Sequence, residues 1–403
     1  TTWGGPAQAA LFLVGELGAA ALAAWAEVLR PWQIVTTRAP AYEMGGLVAA
    51  LAGRSLGLVL AGGGARAMAH IGVIRELEEA GIEVHRVAGT SLGSVVAAVH
   101  ALGVDGATLE QVHHDAFVRG NPIGDYTFPT RALTKGRRTP EFLRHYLGAD
   151  TLIEALPRQF RCVSVGLPAR ALVLHRGGLL WEATAAPARL PILTPPLRVQ
   201  DRLLIDGCVL DNLPVGTLLE RDEGPLVAVN IGSGDRAPSR GGPRIPGLGE
   251  TPLRLMTIGG QGTAQRARER GAYVITPPSL GVGMMEFHQL DRMVEAGRMA
   301  AGALLEATGG DLFSAPDLSE ETAARPASAP DLPDAGPPPA EEKTLVYWTT
   351  PADGLYYPRL RVRDGATEKV SAPRAVRVDN TAPPTPVIKL ELKTPSGALK
   401  PLK

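Results

Sequence analysis

Five consecutive residues, Gly89-Thr90-Ser91-Leu92-Gly93, spell GxSxG. In that spacing a sharp turn between a strand and a helix exposes a serine hydroxyl for attack on an acyl carbon, and the flanking glycines relieve crowding there. The pattern is common by chance, so its weight comes from context: the apolar run Val84 to Gly89 precedes it and a helical pattern, Leu92 to Leu102, follows. A second piece, Gly62-Gly63-Gly64-Ala65-Arg66, again separates a strand-like run from a helical one. Consecutive glycines let several backbone N–H groups converge on one point, which suits the oxyanion that develops in acyl transfer. A phosphate cradle is the competing reading, weakened because neither Gly-Lys-Ser/Thr nor GxGxxG spacing is present. The third piece is Asp206-Gly207 in LLIDGCVLDNLP, an acid leaving an apolar strand at a glycine turn. Alone, Asp-Gly is most often a plain turn; beside a serine and an oxyanion loop it becomes a candidate general base. Arg66 is open to two readings, contact with a lipid phosphate or a pair with a surface carboxylate.

These pieces need a scaffold that delivers them from separate strand ends. Leu56 to Ala61 reads as an apolar strand, and Ala67 to Ala80 as a helix with Ile71, Ile74 and Leu77 on its apolar face, stopped by Gly81. Strand, tight turn and helix, twice over, imply a three-layer α/β/α sandwich with a mainly parallel sheet. Phe160 to Val165, Ala171 to His175, Arg202 to Ile205 and Leu226 to Ile231 supply further strands between Pro/Gly turns. The amphipathic stretch Gly283 to Leu305 closes this body, its Met284, Met285, Met293 and Met299 read as core or interface filler.

Composition narrows the function. With 403 residues, 45% hydrophobic and 20% charged, the chain can fill a sizeable core. Lys plus Arg equals Asp plus Glu at 41 each, and no basic cluster interleaves with aromatics, which argues against nucleic acid. Cys162 and Cys208 make neither a disulfide framework nor a CxxC pair; two buried free thiols are the simplest reading, with a single bridge left open. No metal or cofactor is expected, and His70, His113, His114 and His175 lack ligand spacing and read as structural.

Ala9 to Leu29 is apolar but carries Glu16 and Glu27 and no basic leader, so it fits neither a spanning helix nor a signal peptide; an Ala-rich helix on the body is expected. The start at Thr1 and the stop after a strand-like run read as those of a fragment. Asp311 to Lys343 is rich in Pro, Ala and acid and reads as a linker. Beyond it, Leu345 to Trp348, Leu360 to Val362 and Ala375 to Val378 alternate as strands do. The expected division is a helical extension over 1–46, a hydrolase body over 47–308, a linker over 309–343 and a partial β domain over 344–403.

Taken in order, LGLVLAGGGARAMAHIGVIRELEEAGI, VAGTSLGSVVAA, DYTFPTRALTKGRR, FRCVSVGLPARALVLHRGGLLWEA, LPILTPPLRVQDRLLIDGCVLDNLPV and GVGMMEFHQLDRMVEAGRMAA resemble the patatin-like phospholipase family, and within it the neuropathy target esterase-like branch. The resemblance implies a Ser-Asp dyad at Ser91 and Asp206 without histidine, an oxyanion site at Gly62, Gly63 and Gly64, and Arg66, Gly89, Gly93 and Gly207 as supporting motif residues. It further implies no cofactor, phospholipid or lysophospholipid substrates, and peripheral membrane contact. Departures from the family pattern are Ala67 after Arg66, Cys208 after Asp-Gly, and Ala186-Pro187, all expected near the site. The end of the chain, with its VDNTAP, resembles bacterial immunoglobulin-like or fibronectin-like repeats; it argues for export, whereas the enzyme resemblance argues for a cytoplasmic membrane face.

Two rivals stand beside this reading. The order Ser91, Asp206, His288 is also that of a hydrolase triad and requires His288 at the cleft. The other is a non-catalytic binding protein on a lapsed hydrolase body. For membrane contact, the candidate surfaces are the N-terminal apolar stretch and the run Leu190 to Leu197.

Overall fold

The computed structural model describes residues 46, 48–50, 52–199, 201–219, 223–231 and 262–313, together with short strands from Ala9 to Thr36 and from Thr344 to Pro401. The chain divides into two compact units, Gly45–Pro316 and Thr1–Met44 with Asp317–Lys403.

The first unit holds the expected α/β body. Its strands are β1 (Gly57–Leu60), β2 (Arg86–Gly89), β3 (Gln159–Gly166), β4 (Ala171–His175), β5 (Leu197–Val199), β6 (Arg202–Asp206), β7 (Leu226–Val229) and β8 (Tyr273–Ile275). They form one sheet in the order β8-β7-β1-β2-β3-β6-β5, with β4 also paired to β3. The pairs from β8 to β3 are parallel. Those of β3 with β4 and β6, and of β5 with β6, are antiparallel. The sheet is therefore mixed: the parallel half is the one that the repeated strand-turn-helix pattern predicts, and the antiparallel pairs β3–β4 and β5–β6 follow from the short turns after β3 and β5, which leave no room for a helical crossover.

Every residue of β1, β2 and β7 is buried. Alternate side chains of a strand point to opposite faces, so both faces of the sheet are covered, as in a three-layer sandwich. Helix α1 (Ala69–Glu79) buries the run Ala69 to Ile74 and Leu77 and leaves its charged face outward, whereas in the helix after Ser91, α2 (Ser91–Ala101), only Ser91 is not buried. Further helices of the body are α3 (Gly106–His113), α4 (Arg138–Leu147), α5 (Leu180–Ala185), α6 (Thr263–Glu269) and α7 (Leu290–Ala307). Helices α1 and α7 touch backbone to backbone: a Cβ on Gly72 would strike the Val294 carbonyl oxygen, and one on Gly297 that of Ala69. That contact fixes the start of α1, and with it the loop leaving β1.

Several expectations shift. Ala9–Leu13 is a strand where a helix from Ala9 to Leu29 is expected, and most of that segment lies outside the described residues. It pairs in parallel with Gln33–Thr36 and with Thr344–Val346, which explains the strand: an apolar run adds to a sheet wherever two edges accept its backbone groups. The remaining strands of this unit include an antiparallel set, Gly354–Tyr356, Ala375–Val378, Leu390–Lys393 and Leu399–Pro401, and the hairpin Arg361–Asp364 with Thr367–Val370. The linker lies almost wholly outside the described residues. In the amphipathic stretch, Met293 is buried as core filler but Met299 and Met285 are exposed, because their positions fall on the outer side of the segment. Both cysteines are free. Among the described residues no helix is long and apolar enough to cross a membrane, and no cluster of His, Cys, Asp or Glu could hold a metal ion.

Candidate active site

Strand register brings the three sequence pieces to one place. Leu60 of β1 pairs with Gly89 of β2, so the glycine loop and Ser91 leave neighbouring parallel strands at the same level. Gly89 pairs with Cys162 of β3, and Ser164 of β3 pairs with Asp206 of β6. Two residues past Gly89 is Ser91, and two past Cys162 is the partner of Asp206. The carboxylate of β6 thus stands at the level of the serine, at the carboxyl ends of the parallel strands, where α/β sheets place their ligands.

Ser91 has φ 50°, a left-handed conformation for a non-glycine residue, which costs on the order of 1–2 kcal/mol. Around it the turn is closed by the Thr90 N–H to Leu60 O (3.2 Å) and by Ser94 Oγ–H to Ser91 O (2.6 Å). The two motif glycines answer a need for space: a Cβ on Gly89 would lie 2.7 Å from the Gly93 carbonyl, and one on Gly93 would lie 2.5 Å from the Leu60 and Ala61 carbonyl oxygens. Ser91 opens α2, so the positive end of that helix faces its side chain.

The glycine loop lies directly against the serine. A Cβ on Gly62 would sit 2.7 Å from both Ser91 Cβ and Asn212 Oδ1. No turn, loop or cap hydrogen bond takes up the N–H groups of Gly62, Gly63 or Gly64 among the described residues; the backbone pairing resumes at Ala65, whose N–H donates to Met284 O at 2.8 Å. Gly64 has φ 57° and packs its Cα against the same Met284 carbonyl, a position only glycine fills without strain. Three side chains hold the loop from behind. Asn212 Nδ2 donates to Gly62 O (3.1 Å), His70 Nε2 bonds Ala61 O (2.8 Å), and Arg66 Nε donates to Gly63 O (3.4 Å). His70 is buried and its pKa is lowered to about 4 by desolvation, so it is neutral and Nε2 carries the proton it donates. Arg66 is likewise buried, its pKa is lowered by desolvation, and its Nε is turned onto the loop.

Asp206 is fully buried at the end of β6. Its N–H donates to Arg189 O (2.9 Å), and its Oδ1 accepts the Cys208 N–H (2.9 Å), an arrangement that leaves Oδ2 with no hydrogen-bond partner among the described residues. Burial pushes the carboxyl pKa up to about 6, opposed by the Cys208 N–H and by the Ser91 hydroxyl, which is near enough to favour the charged form. The Ser91 hydroxyl thus lies beside the carboxylate, whose Oδ2 remains uncommitted. Gly207 is required by crowding, since a Cβ there would meet Val163 O and Thr90 Oγ1. The Cys208 thiol pKa is raised, first by burial and then by the neighbouring Asp206, so it stays protonated.

The three departures fall on ordinary backbone. Ala67 lies in the short helical turn Gly64–Met68 and Cys208 in the turn Gly207–Val209, and neither is among the residues with positive φ. Ala186 is buried with φ −65°. His288 is exposed on the turn Phe287–Gln289, where its Nε2 meets Gln289 Nε2 at 2.9 Å, and no histidine bonds Ser91 or Asp206 among the described residues. Asn212 and Arg189 were not singled out from sequence, and His70 and Met284 were read there only as structural and as filler. Asn212 alone had a signal, the polar residue following the Asp-Gly turn in LDNLP.

Residues 58–219 match the family described as Patatin-like phospholipase. Over 283 residues the chain is 37% identical to an uncharacterized NTE family protein of Mycobacterium tuberculosis, covering 65% of this chain and 48% of that one. Over 284 residues it is 31% identical to Lysophospholipase nte1 of Aspergillus fumigatus, covering 64% of this chain and 18% of that one. The chain thus spans about half the length of the mycobacterial relative, at 48%, and a smaller part of the fungal one. Among solved structures, VipD from Legionella pneumophila is similar at 14% identity and a TM-score of 0.36, over 63% of this chain and 66% of that one. The first unit of this chain carries a patatin-like domain, a mixed-sheet α/β body with relatives in the NTE family.

Proposed function

We propose that this protein is a serine ester hydrolase acting on acyl esters of phospholipids or lysophospholipids through Ser91 and Asp206. One observation carries the reading. The only residue of α2 that is not buried is a serine at positive φ, set between a buried carboxylate with an uncommitted oxygen and a loop whose N–H groups have no acceptor among the described residues. The similarity to proteins named lysophospholipase supports the substrate class.

In this mechanism Asp206, ionised, accepts the Ser91 Oγ proton on Oδ2 as Oγ bonds to the ester carbonyl carbon. The carbonyl oxygen becomes an oxyanion, stabilised by N–H groups of Gly62 to Gly64 and by the amino end of α2. Collapse breaks the bond to the leaving alkoxide, which takes the proton from Asp206 and departs as an alcohol; the acyl-enzyme remains. Water then attacks the acyl carbon, giving its proton to Asp206. Collapse of the second intermediate returns that proton to Ser91 Oγ and releases the fatty acid. Each step uses a group fixed before substrate arrives, so little reorganisation accompanies charge development.

The test is fatty-acid release from lysophosphatidylcholine and hydrolysis of a short p-nitrophenyl ester, in chelator, by wild type, Ser91→Ala and Asp206→Asn. Activity in wild type that vanishes in both variants supports the dyad. A folded wild type inactive on both substrates would reject the reading in favour of the lapsed binding protein.

A further inference from the structure

Tyr126, Phe128, Leu133 and Ile192 expose 66, 82, 40 and 38% of their surfaces. Single exposed apolar side chains are ordinary on any protein. These four belong to one hydrogen-bonded structure. A small hairpin is closed by the Thr127 N–H to Leu133 O (3.0 Å) and the Lys135 N–H to Asp125 O (2.9 Å). The Leu133 and Thr134 N–H groups then donate to the Ile192 and Leu193 carbonyls at 2.8 and 3.0 Å, which seats the Ile192 turn beside the hairpin. Ile192 itself is held at φ 72°, an unusual conformation for a β-branched residue, and stays partly exposed outside the core.

Charge singles out what such a patch would meet. From 121 to 138 the charged residues are Arg131, Lys135, Arg137 and Arg138 against Asp125 alone. All four basic residues are exposed, whereas the Asp125 carboxylate turns back to accept the Arg137 N–H at 2.7 Å. An aromatic and aliphatic tip rimmed by cations fits the headgroup region of an anionic bilayer, where rings and methylenes enter the acyl boundary and cations meet phosphates. The patch is also tied to the site. Arg189 Nη1 donates to Gly136 O at 2.8 Å, and the Arg189 carbonyl accepts the Asp206 N–H at 2.9 Å. One buried arginine therefore joins the hairpin to the backbone of the carboxylate.

We propose that the 125–135 hairpin and the Ile192 turn dock this protein on an anionic phospholipid surface, with Phe128 as the inserted residue. The purpose of the docking, delivery of a membrane ester to Ser91, rests on the function proposed above; the binding itself does not. Of the run Leu190 to Leu197 expected as a docking surface, Ile192 is the exposed large apolar residue, and the hairpin supplies the rest.

The experiment is co-sedimentation of the full chain, carrying Ser91→Ala to prevent turnover, with vesicles of phosphatidylcholine alone and of phosphatidylcholine mixed with phosphatidylglycerol. Binding to the mixed vesicles is expected, weakened about tenfold or more by Phe128→Glu. Arg131→Glu with Lys135→Glu should cost roughly fivefold per cation removed and erase the preference for phosphatidylglycerol. With Ser91 restored, Phe128→Glu should lower hydrolysis of vesicle lipid relative to hydrolysis of a soluble ester. Vesicle binding that needs Phe128 in a protein without esterase activity would uphold the docking surface and reject the catalytic reading. Phe128→Glu that is folded and binds mixed vesicles as the parent does would overturn the docking surface whatever the activity. So would a change of oligomeric state in that variant with vesicle binding intact, which would assign the patch to a second copy of this chain.

Discussion

Asn212 Nδ2 donates to the Gly62 carbonyl at 3.1 Å, joining the turn after Asp206 to the loop beside Ser91. Asn212 Oδ1 has no partner among the described residues, so the amide is oriented by that single bond. Its carbonyl partner belongs to the peptide whose N–H is carried by Gly63, one of the proposed oxyanion donors. Removing a donor outright typically costs about 10²- to 10³-fold in rate. Asn212→Ala loosens a donor without deleting it, and a fall in kcat of roughly tenfold with little change in KM is expected, read by steady-state hydrolysis of a soluble ester.

Burial holds the Asp206 carboxyl at about 6 in the folded protein, above the ordinary aspartate value of about 3.9. As the proposed base it must be ionised, so kcat/KM should rise with pH through one ionisation near 6 and level off above it, as measured by a pH–rate profile.

The same shift acts on stability with the opposite benefit. Between those two values the folded state keeps a proton that the unfolded chain has released, so stability falls as pH rises across the window. Above it the ionised, desolvated carboxylate costs up to about 3 kcal/mol. Asp206→Asn should therefore abolish hydrolysis while raising the denaturation midpoint at pH 8, and the two proteins should converge near pH 4. Urea titrations at both pH values check this.

Strain at Ser91 separates its two inactive variants. Alanine keeps the cost of φ 50° and glycine removes it, so Ser91→Gly should be more stable than Ser91→Ala by about 1 kcal/mol, by the same titrations.

Gly62→Ala puts a methyl group 2.7 Å from Ser91 Cβ and Asn212 Oδ1. Either the loop or the serine must move, and a displacement of that size should lower kcat/KM at least about 100-fold. Labelling of Ser91 by a fluorophosphonate probe should slow in parallel.

His288 is exposed, on a turn, and bonded to its neighbour. His288→Ala is expected to keep ester hydrolysis within about twofold of wild type, since general-base loss would instead cost about 10²- to 10⁴-fold. Near-complete loss of activity would revive the triad.

What could be read in the sequence by itself was chemistry set by neighbours along the chain. Ser91 between two glycines, the run Gly62 to Gly64, and Asp206 before a turn are each defined within a few residues, because backbone strain, amide convergence and turn formation are local properties. The parallel half of the sheet was legible for the same reason: each strand, turn and helix unit carries its own pattern. What the tertiary structure decided depends on which distant backbone lies alongside. Strand β6 enters antiparallel, and only that register sets Asp206 opposite Ser164 at the level of Ser91. Ala67 departs from the family pattern, yet the loop places its left-handed residue at Gly64, so alanine fits. Asn212, His70 and Arg189 became visible only through the carbonyls they hold, at Gly62, Ala61 and Gly136, because a side chain's partner across a fold leaves no spacing in the sequence. The raised pKa of Asp206 likewise comes from burial, a property of everything packed around the residue rather than of the residue itself.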